Sequence, residues 1–463
     1  MTRRRLTMLD ATFLQVETAT AHMHTAWKGR FAPPADGLPV TLDALRALIA
    51  GRIAQAPRFR QRLAFPPLGL AAPVWADDER FDLERHVVAL GTLSRPISPT
   101  RFDALVDRAL SEPLDRSRPL WQLHLAPRLT DGTIGILMRT HHAMVDGVSA
   151  LEVGLLLLDT RPDAQPDAGA NGWLAEPLPS DARLTVDALL DRGREPLRMA
   201  GELARLALAP ARLRAALRGA ALSLSEDLLR PAPSSHLNGP ISARRTLVGH
   251  TVALEALRTV GRDAGVTLND VALAAIAGAL RRLALARGAA PGPLKTMVPV
   301  SLREPEDMEE LGNRVSFVFI DLPVGLATPK ERLDAVHAAT QRFKHDGRAA
   351  ASESILNSAS ALPTQAQGAF ARFAASSRTY NLTASNIPGP DFPVYMLGAE
   401  LIEAFPVIPI ADDHALSIGV FSYDGHACFG FYADPDALPE ASGLPEMLDE
   451  ALDELTARVG LRV

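Results

Sequence analysis

The sequence predicts an α/β protein of two domains, and three observations carry that prediction. At 463 residues the chain is too long for one ordinary core and divides better into two domains of roughly 150 to 220 residues each. Stretches with strand-like alternation and stretches with helical spacing follow one another in mixed order, not in blocks of one kind. The composition, 47% hydrophobic and 22% charged, is that of a chain able to bury a core, so general disorder is excluded.

Met8 to Val16 is a short apolar segment containing Asp10. Thr41 reads as the N-cap of a helix whose Leu45, Leu48, Ile49 and Ile53 recur at helical spacing. A second helix is expected from about Arg101 to Leu110, stopped before Pro113. Trp121, Leu123 and Leu125 then alternate as one face of a strand, and the loop from Asp131 joins it to a second strand containing Ile134, Ile136 and Met138. The two should form a hairpin. Prolines and glycines from about Arg161 to Ser180 break any regular element and read as a linker. Beyond Arg244 the expected strands are Thr246 to Val252, Thr296 to Leu302, Val315 to Leu322, Leu382 to Asn386 and Leu416 to Phe421. Helices are expected from Thr267 to Ala286, Pro329 to Phe343 and Pro439 to Val459. The domain expectation is therefore 1–160, a linker and arginine-rich segment at 161–240, and a second domain at 241–463.

The net charge of −6 argues against nucleic acid as a partner. The single cysteine, Cys428, excludes an intrachain disulfide framework and any cysteine-rich metal site, and makes a reducing compartment the simpler expectation. Arg3-Arg4-Arg5 is followed by Asp10 and Glu17 with no apolar core of a signal peptide between them. No window offers the roughly 20 apolar residues of a membrane span, so the chain is expected to be soluble or to lie on a membrane surface. Between Arg192 and Arg218, seven arginines face two acidic residues, with apolar residues at helical spacing. That segment reads either as an interdomain helix with a solvated basic face or as a contact for anionic lipid.

The chemistry centres on residues 133 to 150. An apolar strand runs into His141-His142, and Asp146-Gly147 follows at the start of a stretch with helical spacing. A turn between strand and helix commonly exposes reactive groups on a rigid frame. His142 there could act as a general base, since neutral imidazole can take a hydroxyl proton as that oxygen attacks a carbonyl. The plainer alternative is a satisfied surface turn with Asp146 as a helix cap. His141, His142 and Asp146 are all possible metal ligands, but adjacent histidines usually diverge and no second ligand cluster stands out, so no metal is expected.

His141-His142-Ala-Met-Val-Asp146-Gly147 resembles the HHxxxDG motif of the bacterial wax ester synthase/diacylglycerol acyltransferase family, within the chloramphenicol acetyltransferase-like superfamily. Further matches extend the likeness over nearly the whole chain: Met8 to Leu14, Pro119-Leu120-Trp121, Asn269-Asp270, Met297 to Arg303, Gly312-Asn313-Arg314, Asn386-Ile387-Pro388-Gly389-Pro390 and Ser422-Tyr423-Asp424-Gly425. Ile387 stands where valine is commoner.

The resemblance implies two chloramphenicol acetyltransferase-like domains with the active site in a channel between them. It implies transfer of a fatty acyl group from acyl-CoA, a substrate and not a resident cofactor, to a long-chain alcohol or diacylglycerol, with His142 as the base. Other outcomes are a related acyltransferase acting on another hydroxyl or amine, or a non-catalytic lipid-surface protein. Asn269 and Asn386 are candidates for stabilising the oxyanion. Thr267 and Asp270 equally suggest a capping box, and Asn386 to Pro390 a rigid turn. Pro119, Leu120 and Trp121 are expected to support the histidine strand. Arg303 needs a carboxylate partner, and by superfamily analogy Asp146 is that partner. The expected location is cytoplasmic, peripheral at the inner face of the membrane or on a lipid droplet.

Overall fold

Two six-stranded sheets organise the chain, and the first takes two of its strands from the C-terminal half of the sequence. The computed structural model describes residues 6–69, 71–144, 157–164, 173–190, 225, 229–301, 315–346 and 364–458. Asp146, Gly147, Arg303, the Gly312-Asn313-Arg314 motif and the arginine-rich stretch from Arg192 to Arg218 lie outside the described residues, as does the proposed pairing of Arg303 with Asp146.

The first sheet contains β1 (His24–Phe31), β4 (Val87–Ala89), β5 (Trp121–Ala126), β6 (Ile134–His141), β11 (Tyr395–Met396) and β12 (Ala399–Val407), in the order β11-β12-β1-β6-β5-β4. β5 and β6 pair antiparallel as the expected hairpin, with Leu123 opposite Met138 and Leu125 opposite Ile136. β1 lies on the other side of β6 and places His24 opposite His141. A small separate hairpin, β2 (Gln61–Ala64) with β3 (Val74–Asp77), packs beside this sheet.

The second sheet runs β7-β14-β13-β10-β8-β9, built from β7 (Thr246–Ala253), β8 (Leu294–Ser301), β9 (Val315–Leu322), β10 (Leu382–Pro388), β13 (Leu416–Tyr423) and β14 (His426–Ala433). Its centre, β8-β10-β13, is parallel, and its flanks are antiparallel. Each strand expected beyond Arg244 is present with ends shifted by a few residues. β14, β11 and β12 are additional; β12 pairs with β1 through Leu401–Val407, and β11 pairs with β12, so both join the first sheet from within the stretch expected as the second domain. Where β12 crosses the second sheet the backbones nearly touch. A Cβ at Gly430 would lie 2.2 Å from the Pro406 carbonyl oxygen, so only glycine fits there.

The helices begin where their caps predict. Thr41 accepts the Ala44 amide at the start of α2 (Leu42–Arg52), which buries Leu45, Leu48 and Ile49. Ser98 caps α3 (Pro99–Leu110), with Pro99 in the first turn where its missing N–H costs nothing. Residues 181–190 form α4, and α5 spans Leu254–Ala264. α6 (Leu268–Ala286) opens on a full capping box between Thr267 and Asp270. Its apolar run from Val271 to Leu280 could not stay in water, and it fills the core of the second unit with α7 (Pro329–Asp346) and α9 (Leu444–Arg458). The expected single helix from Pro439 is divided into a 3-10 turn at Pro439–Gly443 and α9. The apolar segment Met8–Val16 is helix α1, and α8 (Thr364–Ala374) from the second unit packs against it. No single described helix is long and apolar enough to cross a membrane.

Candidate active site

The histidine turn hangs from three backbone hydrogen bonds. His141 N donates to Leu120 O at 2.9 Å, His142 N to Met23 O at 2.9 Å, and Met144 N closes the turn onto His141 O at 2.9 Å. Met23 adopts φ +48°, a left-handed conformation costly for a residue with a side chain, and its carbonyl meets the catalytic candidate directly. Beneath the turn, Leu120 and Trp121 are fully buried, and Trp121 donates its indole N–H to Phe59 O at 2.8 Å. Removing so large a packed ring costs about 3–5 kcal/mol, so Trp121 fixes the strand that carries the turn.

The two histidines diverge in environment. His141 is 1% exposed. Its Nδ1 accepts the Ala143 amide at 3.0 Å, which leaves the ring proton on Nε2, facing Glu17 Oε2 at 3.3 Å. Glu17 is bonded by the Arg116 guanidinium and lies beside His141 Nε2 without accepting a hydrogen bond from it. Burial, helped by the positive Arg116, pulls the His141 pKa down to about 3. His141 is therefore a neutral strut that shapes the turn.

His142 is partly accessible, and its ring stacks on Phe13 of α1 with centroids 3.7 Å apart and planes 19° from parallel. Desolvation holds its pKa down at about 4, so it is neutral and has a free lone pair at neutral pH. Phe13 itself sits in a small apolar cluster with Val16 and Met23 from the first unit and Ala371 and Ala411 from the second. One aromatic ring thus separates His142 from the boundary between the units. That boundary is tied by Thr18 and Thr20, both donating to Asp412 Oδ1 at 2.9 and 2.7 Å, and by the Arg245 guanidinium on Thr20 O.

The second-unit candidates occupy different elements. Asn269 is in the first turn of α6 and half-buried. Its neighbour Asp270 does structural work: it accepts from the Thr267 amide at 3.1 Å and Thr340 Oγ1 at 2.7 Å, with His337 Nδ1 2.9 Å away. Asn386 lies near the C-terminal end of parallel strand β10, the end where open α/β sheets place ligands. Its Oδ1 is buried without a partner among the described residues, an unmet polar group close to the strand end. The following Gly389 allows a close approach, since a Cβ there would sit 2.5 Å from Phe421 and from Ser422 O. The Tyr423 motif is a staple: its hydroxyl donates to Leu401 O and accepts from Val394 N, both at 3.0 Å, before Asp424 and Gly425 turn with positive φ.

Cys428 is fully buried in β14 and its pKa is pushed up by burial, so the thiolate form of a nucleophile is disfavoured. Sequence reasoning missed Phe13, Glu17, His24 and Arg116. Only a long-range pairing brings them to the turn, and the apolar Met8–Leu14 segment carried no sign that it would stack on a histidine.

Comparison with known proteins agrees over the whole chain. Residues 6–272 match the model for the wax ester synthase/diacylglycerol acyltransferase catalytic domain, and residues 311–456 that for the C-terminal domain of the same family. The chain is 33% identical over 458 residues to a probable diacylglycerol O-acyltransferase, tgs1, of Mycobacterium tuberculosis, covering 98% of this chain and 96% of the relative. It is 31% identical over 461 residues to a second such protein of that organism, tgs2, covering 98% of each. Among solved structures it resembles the wax ester synthase/diacylglycerol acyltransferase from Marinobacter aquaeolei VT8, with a TM-score of 0.67 and 26% identity, covering 99% of this chain and 100% of that one. The first condensation domain of the CDA synthetase shares the fold at 16% identity, with a TM-score of 0.61 over 98% and 96% of the two chains.

Proposed function

Because the chain belongs to the wax ester synthase/diacylglycerol acyltransferase family, we propose that it moves a fatty acyl group from acyl-CoA to the free hydroxyl of diacylglycerol, with His142 as the general base. The single observation that carries the base assignment is a neutral, desolvated imidazole, backed by Phe13, on a turn at the boundary of the two units. The names of relatives at 33% and 31% identity favour diacylglycerol over a long-chain alcohol as the main acceptor.

Nδ1 of His142 is buried, which leaves Nε2 to meet the acceptor. As the acceptor oxygen attacks the thioester carbonyl, its proton passes to that nitrogen. The tetrahedral intermediate then collapses, the carbon–sulfur bond breaks, and the imidazolium returns the proton to the departing CoA thiolate. Positioned base catalysis of this kind contributes about 10² to 10⁴ in rate. The amide groups of Asn269 and Asn386 are the candidates for stabilising the oxyanion, each such donor being worth about 2.7 to 4 kcal/mol. Glu17 and His141 hold the turn and do not exchange the proton. Since the acceptor is a membrane lipid, the working position is peripheral, on a bilayer or lipid droplet facing the cytoplasm.

Radiolabelled palmitoyl-CoA offered with dioleoylglycerol, hexadecanol, an amine and a sterol tests this reading. Label in triacylglycerol above all other products is the expected result. Label chiefly in the amide or another ester would replace diacylglycerol as the acceptor, and CoA retention with every acceptor would make the chain a binding protein.

A further inference from the structure

Arg60 closes the 3-10 turn Pro57–Arg60, directly before the β2–β3 hairpin begins. Only 7% of the residue is exposed, yet among the described residues no hydrogen bond or ion pair reaches its guanidinium, and its Nε is buried without a partner. The contact it does make is with the indole of Trp173, the guanidinium carbon lying 4.3 Å from the ring centroid. Arg62, two residues along, is half-buried, and its Nε is likewise unpartnered. It donates through Nη1 to Ser117 O at 3.2 Å and forms no ion pair among the described residues.

The neighbouring carboxylates are engaged with other donors. Asp77 accepts from Gln61 Nε2 at 3.2 Å and from the Glu176 amide at 3.1 Å, and Asp78 accepts the Arg80 amide at 3.0 Å. Burial pulls the Arg60 pKa below its usual value, and the charge of Asp77 acts in the opposite direction through space. A buried cation is ordinarily paired, because taking it out of water without a partner is costly, and a stacked indole returns only part of that cost. Stacking also occupies the face of the guanidinium and leaves its N–H edge free. That edge holds a phosphate through two parallel hydrogen bonds.

The place where the pair is anchored identifies the anion. Phe59, the residue before Arg60, accepts the Trp121 indole N–H, and Trp121 lies opposite Thr140, two residues before His142. Following those contacts sets an upper limit of roughly 25 Å between the Arg60 and His142 backbones. The pantetheine arm of CoA, about thirteen bonds from sulfur to the first phosphorus, spans about 15 Å by the same bond lengths, and the two side chains cover the remainder. A thioester held at His142 thus lets the nucleotide phosphates reach Arg60.

We propose that Arg60 and Arg62 form a binding site for the phosphate groups of acyl-CoA. The proposal rests on the reading of acyl-CoA as the donor, and it names the residues that recognise the nucleotide end of that substrate.

The test is calorimetry on the full chain with adenosine 3′,5′-bisphosphate, which carries phosphates on a nucleoside but no thioester, and with a short-chain phosphatidic acid for comparison. Wild type should bind the bisphosphate, and Arg60→Met/Arg62→Gln should bind it about tenfold or more weakly. Arg60→Lys, which keeps the charge and loses the planar fork, should fall between them. Without ligand, Arg60→Met alone should unfold at the wild-type midpoint or above it, because an unpaired buried charge is gone. In turnover, the double variant should show a KM for palmitoyl-CoA raised about tenfold or more with kcat within about twofold. Palmitoyl-pantetheine, which lacks the nucleotide, should be used equally by both chains. The proposal is overturned if wild type does not bind the bisphosphate, if the double variant binds it as well, or if Arg60→Met lowers the midpoint and leaves binding unchanged. Arginine-dependent binding of phosphatidic acid without binding of the bisphosphate would also overturn it, as would equal losses with palmitoyl-CoA and palmitoyl-pantetheine. Arginine-dependent binding of the bisphosphate by a chain that transfers no acyl group refutes the proposed function and leaves the phosphate site standing.

Discussion

The two sheets bury very different things. The second is closed over a core of aliphatic and aromatic side chains, with α6 sunk into it along most of its length, and the cations it buries are held by acceptors, Lys295 donating to Arg230 O at 2.6 Å and Arg332 to Glu454 at 2.8 Å. The first traps titratable groups: His24, His124 and His141 are buried in its strands, beside buried Arg139, and His142 follows at the strand end. Burial drives all four histidines below their usual pKa. The first sheet thus lines its centre with neutral imidazoles and holds the neutral His142 at its edge.

The largest effect that would break this contrast is expected at His142. His142→Ala should lower acyl transfer by about 10² to 10⁴ while leaving thermal stability nearly unchanged. A variant with full turnover would show that the polar interior serves some other end. Next comes Gly430→Ala, which drives a methyl group into Pro406 O where β12 crosses between the sheets. A destabilisation of about 1–3 kcal/mol or more is expected, read as a lower denaturation midpoint, because the obstacle is backbone that cannot step aside. An unchanged midpoint would mean that the two units are not held together at this crossing.

Glu17→Gln should act more mildly. It keeps the shape but removes the carboxylate facing Arg116 and the His141 N–H, so kcat should fall by about tenfold or less with KM little changed. Equal loss on Glu17→Gln and His142→Ala would promote Glu17 to the proton path. The smallest effect is expected at His124, buried in β5 with neither ring nitrogen partnered among the described residues and its pKa lowered to about 3. In the unfolded chain this group titrates near 6.5, so between pH 6.5 and about 3 the unfolded state binds the extra proton. Its share of stability is intact above pH 6.5 and declines as pH falls through that window. His124→Phe should therefore flatten the acid side of the midpoint-versus-pH curve and leave it level or slightly higher at pH 7.

Local signals made much of the fold legible. The β5–β6 hairpin, α2, α3 and the capping box of α6 follow from alternation, spacing and caps that neighbouring residues carry themselves. β12 was not legible, since Glu400 is exposed while every residue from Ala404 to Val407 is buried, and its alternation dissolves where β1 lies alongside and the second sheet crosses. β14 is likewise buried on both faces. At the site, the paired histidines announced themselves through a motif. Their surroundings did not: Glu17 meets His141, and Phe13 meets His142, only because α1 is packed against the turn by partners far along the chain.

The central claim is that neutral His142 activates the acceptor for direct attack on the thioester, with no acyl group held by the protein. Rapid mixing of the enzyme with palmitoyl-CoA alone tests it most directly, followed by addition of dioleoylglycerol. The account predicts no burst of CoA before the acceptor arrives and prompt release afterwards. A burst stoichiometric with enzyme, leaving palmitate bonded to the chain, would contradict it.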